Sequence, residues 1–167
     1  EQDLDERTLV IFTSDNGPWL AYGSHGGRAE PLREGKKTVF EGGVRVPFVI
    51  RWPTQIPAGL VSDTPFMSID LFPTIAKLAG APLPQSKIDG LDVWSIITGK
   101  SDDNPHQAYF FYFGENELQG VRYKNWKLYF PHTYSSLNGR RGGSNGLPVD
   151  YENLTIDSIE LYDMSCL

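Results

Sequence analysis

TLVIFTSDNGPWLAYGSHGGRAEPLREGKKTVFEGG, residues Thr8–Gly43, decides how the rest of the chain is read. It opens on an apolar run, Leu9-Val10-Ile11-Phe12, that stops at Ser14-Asp15-Asn16-Gly17-Pro18. A short continuous apolar run ended by turn formers predicts a strand buried on both faces, as in a parallel sheet. In open α/β sheets, ligands gather just beyond the carboxyl ends of such strands, and Asp15 and Asn16 stand there. Their carboxylate and carboxamide are hard oxygen donors, suited to Ca²⁺ or Mg²⁺ rather than Zn²⁺. Further on, Gly35-Lys36-Lys37 and Glu41-Gly42-Gly43-Val44-Arg45 set cations and bare backbone where an anion could be held. Taken singly, each piece has an ordinary reading: Asp-Asn-Gly is a common turn, and a lysine pair in a loop is normally solvated. Their order along one stretch is what makes the pattern specific.

VIFTSDNG (Val10–Gly17), LREGKKTVFEGGVRVPFVIRWP (Leu32–Pro53), SIDLFPTIAKLAG (Ser68–Gly80) and DGLDVWSIITG (Asp89–Gly99) together resemble the later half of the type I sulfatases. These form the arylsulfatase family of the alkaline-phosphatase-like superfamily. The resemblance runs more loosely through the C-terminal third. It implies an α/β fold: the C-terminal part of an alkaline-phosphatase-like mixed sheet with helices, then a small antiparallel-sheet subdomain. It also implies that Asp15 and Asn16 ligate a Ca²⁺ and that Lys36 contacts the sulfate as a catalytic and substrate-binding residue. Lys37, the second residue after Gly35, is the lesser candidate. Family members carry a formylglycine nucleophile, made from Cys or Ser in a C/S-x-P-x-R motif, in an earlier half. No such motif occurs here, and the single cysteine, Cys166, lacks the following Pro and Arg. The chain is therefore expected to be a fragment that starts partway through the catalytic domain, stops short of the native end, and holds half an active site. Its partners would be a sulfate ester, aryl or glycan, and the missing N-terminal half. Periplasmic or secreted location follows from the resemblance alone.

The 167 residues suit one ordinary domain or a domain plus a small appendage. At 40% hydrophobic and 13% aromatic there is material for a core. A net charge of −6 speaks against nucleic-acid binding, which leaves a basic footprint. An acidic protein handling an anionic ester needs local cations, and Lys36, Arg33, Arg45 and the Arg140-Arg141 pair are candidates. One cysteine excludes an internal disulfide. No apolar run is long enough to span a membrane. Asn153-Leu154-Thr155 fits the glycosylation triplet, which also arises often by chance.

Along the chain, Glu1–Arg7 reads as the tail of a helix leading into the first strand. Pro18–Glu34 reads as a long loop of little regular structure, a type that is commonly functional inside compact domains. His25 in that loop could donate to substrate or act as an acid, although a solvated or structurally bonded histidine is the more ordinary outcome. Glu41 is a candidate anchor for a lysine or for Arg45, and Arg45 reads slightly better as a buried ion-pair partner. Val46–Pro53 is the next strand, with Pro47 at its first residue or edge. Asp70 is placed as an N-cap, with Leu71, Phe72, Ile75, Leu78 and Ala79 on one helical face packed against the sheet. Asp89 and Asp92 read as caps around a short helix at 92–98. A boundary near Lys100–Gln107 divides residues 1–105 from 106–167. Beyond it, Ala108–Phe113, Gly120–Tyr123, Trp126–Pro131 and Glu160–Asp163 read as antiparallel strands, with Lys124-Asn125 as a hairpin turn. If the missing tail holds a covering helix, one aromatic sheet face is left bare. The loop His132–Asp150 is too glycine-rich to hold itself rigid, and Arg140 and Arg141 either meet substrate there or are solvated.

Two rival functions remain open at the level of sequence. One is a phosphate or phosphonate ester hydrolase of the same superfamily, which generally uses more His and Asp around two Zn²⁺-type metals. The other is a non-catalytic carbohydrate-binding module whose aromatics stack on sugars, which leaves the Asp-Asn-Gly and Gly-Lys motifs unexplained.

Overall fold

The computed structural model describes residues 4–166. The chain divides into two compact units, one of Glu1–Phe12 with Phe48–Gln107, the other of Thr13–Pro47 with Ala108–Leu167. At the N-terminus, Asp5–Arg7 forms a single 3-10 turn, while Glu1–Asp3 of the predicted helix tail lie outside the described residues.

In the first unit, β1 (Val10–Thr13), of which only Thr13 is grouped with the second unit, pairs with β2 (Phe48–Arg51) in a two-stranded sheet. Pro47 immediately precedes β2, where its missing N–H breaks no ladder bond. The expectation of burial on both faces is corrected: Val10 is 48% and Phe12 69% exposed. An apolar run is buried on both faces only where a layer covers each side; here Ile11 is half-buried while Val10 and Phe12 lie uncovered among the described residues. The buried core of this unit comes from Val93, Ile96 and Ile97, with Ile50, Ile56 and Phe66 packed against them. Ile96 and Ile97 sit on a single helical turn, α3 (Trp94–Ile97).

The helix α2 (Leu71–Leu78) follows a 3-10 turn at Ser68–Asp70, and its orientation corrects the predicted stripe. Phe72 and Ile75 are exposed, whereas Pro73, Thr74 and Ala76 face inward. Thr74 fixes that rotation, because its hydroxyl donates to the Asp70 carbonyl at 2.7 Å and accepts the Val93 N–H at 3.0 Å. Asp70 does not cap α2 through its side chain. Its fully buried carboxylate accepts the N–H groups of Met67 and Leu91 and meets His106 Nε2 at 2.8 Å. Asp92 accepts the Trp94 N–H at 3.0 Å and pairs with Lys77, but the N-cap position of α3 is Val93, which makes no side-chain capping bond. Asp89 is exposed.

The second unit holds β3 (Tyr109–Phe113), β4 (Glu117–Tyr123), β5 (Trp126–Tyr129), β6 (His132–Ser136), β7 (Glu152–Ile156) and β8 (Glu160–Asp163). β3, β4, β5 and β8 form one antiparallel sheet in that order, and β6 pairs with β7 in another. The predicted turn falls between the paired residues Tyr123 and Trp126, with Lys124 at φ 52°. Phe110, Tyr112, Trp126 and Leu161 of the larger sheet are exposed. The β6–β7 pair escaped the sequence reading because its strands, His-Thr-Tyr-Ser-Ser and Glu-Asn-Leu-Thr-Ile, are largely polar.

The loop between them is also better held than expected. Gly143 N–H and Val149 N–H both donate to the Ala21 carbonyl, at 2.8 and 3.0 Å. In return, Ala21 N–H donates to the Tyr151 hydroxyl at 3.1 Å. The Pro18–Glu34 stretch that receives these bonds contains a 3-10 segment, Leu20–His25. At the centre of the unit Val39 and Phe40 pack with Tyr129 and Ile156. The stretch that runs from Thr38 to Gly43 is thus part of the core.

Candidate active-site cleft

Backbone packing brings the Asp-Asn-Gly turn, the Gly-Lys turn and the Glu-Gly-Gly helical turn together. Gly17 N–H donates to the Gly43 carbonyl at 2.9 Å, Lys36 N–H to the Pro18 carbonyl at 2.9 Å, and Gly42 N–H to the Arg33 carbonyl at 2.8 Å. Glu41–Val44 is one turn of helix, α1, with Glu41, Gly42 and Gly43 buried. Such close passage needs glycine. A Cβ on Gly17 would lie 1.8 Å from the Gly42 carbonyl oxygen, and one on Gly42 would lie 2.0 Å from that of Glu34.

The result is a cleft of about 630 Å³ whose walls include Asp15, Asn16, Trp19, Arg28, Lys36 and Arg45. Asp15 is exposed to it and Asn16 half-buried. Ser14 Oγ donates to the Asn16 carbonyl at 2.8 Å, which fixes the bend of the turn. Lys36 Nζ stands 5.0 Å above the Trp19 ring, a cation–π contact that orients the ammonium without neutralising it. Lys37 points elsewhere: at φ 76° its side chain turns to the Tyr151 ring, 5.8 Å away. Arg45, expected as a buried ion-pair partner, is instead exposed and lines the cleft. Among the described residues its side chain has no hydrogen-bond or ion-pair partner.

Glu41 is taken by another cation. Lys127 of β5, wholly buried, donates to Glu41 Oε1 at 2.6 Å and to the Val39 carbonyl at 2.8 Å. Its ammonium also lies over the Phe111 ring at 4.1 Å. Burial pushes the Lys127 ammonium below its ordinary pKa, against the pull of the Glu41 charge. Sequence reasoning missed this lysine because its partner is remote along the chain. The only available signal was a charged residue at an inward position of an otherwise apolar strand.

The remaining predicted cations divide. Arg33 lies 3.9 Å over the Phe40 ring and donates to Tyr134, Tyr162 and Glu160, so it ties strands together. Burial opposes its charge, but the hydrogen bonds to Tyr134 and Glu160 outweigh it and raise its pKa. Arg140 pairs with Glu152 at 3.0 Å and donates to the carbonyls of Leu137 and Asp150. Arg140 and Arg141 both line a second cavity, of about 700 Å³. His25 is exposed at the end of its 3-10 segment and is not among the residues lining either cavity.

Asp15 and Asn16 match a hard cation in kind but not in number. A calcium ion takes about six to eight oxygens, and among the described residues no three His, Cys, Asp or Glu side chains converge. The turn can therefore hold one side of such an ion and no more. Among the described residues no helix is long and apolar enough to cross a membrane.

Comparison with known proteins finds the chain similar to sulfatases. The sequence model of the family described as Sulfatase matches residues 1–81. Arylsulfatase A of Homo sapiens is 46% identical over 168 aligned residues, covering 97% of this chain and 32% of its own length. Steryl-sulfatase of Homo sapiens is 39% identical over 158 residues, covering 87% and 26%. The crystal structure of the PsFucS1 sulfatase from Pseudoalteromonas sp. superposes with a TM-score of 0.78 at 27% identity, over 96% of this chain and 31% of that one. The chain thus spans between a quarter and a third of the length of these relatives.

Proposed function

We propose a function from one premise: this chain belongs to the type I sulfatase family, and its α/β fold with antiparallel sheets is that of the family's C-terminal part. On that premise the chain contributes the sulfate-holding side of a sulfuric ester hydrolase. Residues 1–105 would complete its catalytic α/β domain, and residues 106–167 would form the small antiparallel subdomain. The observation that carries the reading is the shared cleft of Asp15, Asn16 and Lys36.

Cleavage of a sulfate ester moves negative charge onto the sulfate oxygens and the departing alkoxide or phenoxide. Lys36, held by its backbone bond to Pro18 and its contact with Trp19, presents a fixed ammonium to that charge. Groups oriented in advance in this way stabilise the transition state by about 3–4 kcal/mol each. Asp15 would hold Ca²⁺ through a charged oxygen and Asn16 through a neutral one. When bound, the ion polarises the sulfate as a Lewis acid. The further calcium ligands and the formylglycine nucleophile would come from the rest of the enzyme. The substrate class is a sulfate ester, aryl or glycan.

Two measurements test this. The purified chain alone should release no nitrophenol from 4-nitrophenyl sulfate, and appreciable turnover by it would refute the half-site. In the intact enzyme, Asp15→Ala should weaken calcium binding and activity together; an unchanged calcium affinity by calorimetry removes Asp15 from the ligand set.

A further inference from the structure

We propose that the cavity walled by Arg28 and Arg141 is an anion subsite adjoining the sulfate cleft, so that the enzyme favours esters carrying a second negative group, as on a multiply sulfated glycan. The proposal rests on the sulfatase reading and names its substrate class. Several observations carry it. At about 700 Å³ the cavity falls in the range of small-ligand sites. It shares Gly27, Arg28, Ala29 and Leu32 with the cleft of Asp15 and Lys36, so the two adjoin at Arg28. Arg33, Arg51 and Arg140 are each paired with a carboxylate. Among the described residues Arg28 and Arg141 have no hydrogen-bond or ion-pair partner, although both face a concave wall.

The loop that carries Arg141 is set in place beforehand. Its neighbour Arg140 is pinned to Glu152 and Asp150, and the following Gly143 is bonded to Ala21. A Cβ on Gly142 would lie 2.2 Å from the Leu20 carbonyl oxygen, so the loop backbone lies directly on the 3-10 segment. Of the two carboxylates in the wall, Glu34 accepts a hydrogen bond from Ser136 at 2.7 Å and Glu30 remains exposed. Glu34 keeps its charge on accepting from a neutral hydroxyl, so the attraction for an anion is local to the two unpaired guanidiniums of Arg28 and Arg141 rather than a net charge of the wall. A planar guanidinium suits the paired oxygens of sulfate or carboxylate.

The test sets a disulfated and a monosulfated heparin-type disaccharide in competition with 4-nitrophenyl sulfate turnover by the intact enzyme. Wild type should bind the disulfated sugar at least about tenfold more tightly, on the scale of one charge-assisted hydrogen bond. Arg141→Met should cut that preference severalfold while leaving KM for nitrophenyl sulfate within about twofold, since Arg141 does not line the cleft of Asp15 and Lys36. Arg141→Lys should restore part of it, and adding Arg28→Met should abolish it. A preference that survives in the double variant, or equal losses for both sugars, overturns the subsite. Should the intact enzyme not cleave nitrophenyl sulfate, the sulfatase reading falls, and calorimetry with the same two sugars still decides. A preference lost in the double variant sustains the subsite, and equal affinities in wild type end it.

Discussion

At the scale of single residues, the cleft depends on atoms that are missing as much as on those present. The Gly17 hydrogen occupies space where a methyl group would overlap the Gly42 carbonyl oxygen, 1.8 Å from its carbon. Gly17→Ala must therefore push the Asp15-Asn16 turn away from α1. We expect it to cost about 1–3 kcal/mol, the usual range for overpacking, read in a urea melt, and to lower activity further by displacing Asp15. Lys36 behaves oppositely. Its ammonium lies over the Trp19 face and, among the described residues, makes no hydrogen bond or ion pair, so Lys36→Ala should leave the melt nearly unchanged. In the intact enzyme it should lower kcat/KM by about 10²–10³-fold, as loss of one preorganised donor does. An activity loss that tracked a stability loss would recast Lys36 as structural. The Asp-Asn-Gly and Gly-Lys turns were legible in the sequence as turns, because Gly17 and Pro18 punctuate the first and Gly35 the second. The exposure of Arg45 was not, because whether an arginine is buried depends on neighbours that a linear reading cannot supply.

At the scale of elements, α1 is a turn too short to stand alone, and β5 supports it from beneath through Lys127. Removing one member of a buried pair strands the other. Lys127→Met should cost about 3–5 kcal/mol for that reason, and Glu41→Gln added to it should recover a measurable part. No recovery would mean that Lys127 acts through its bond to Val39 and its ring contacts instead. Tyr129, next but one along β5, carries a pH signature. Burial, reinforced by the Glu41 charge, raises its phenol pKa well above the ordinary 10.0. The unfolded phenol ionises first, so the native state holds more protons above pH 10 and stability falls as pH rises. Chemical melts between pH 9 and about 11.5 should show that decline, and Tyr129→Phe should flatten it; an identical slope in the variant would exclude Tyr129 as its source. The strands of the larger sheet were readable from their aromatic and β-branched runs. The facing of α2 was not, since a stripe such as Phe72 and Ile75 announces that a face is apolar without saying what covers it. Thr74, with its two hydrogen bonds, decided the rotation instead.

At the scale of the molecule, the chain passes between its two compact units at 12/13, 47/48 and 107/108. The last crossing sits beside the composition change near Pro105, and the first two fall inside or beside strands whose local pattern is continuous. Residues 13–47, which carry the cleft, are grouped with the C-terminal strands rather than with the helices that follow them in sequence. The buried Lys127–Glu41 pair gives that grouping a practical edge. Trimming the polypeptide near residue 105, or grafting on a foreign tail there, would withdraw the counter-ion of Glu41 together with Tyr129 and Ile156, and open Phe40 to water. Anyone recombining sulfatase segments should cut so that the Glu-Gly-Gly turn and its lysine travel as one cassette.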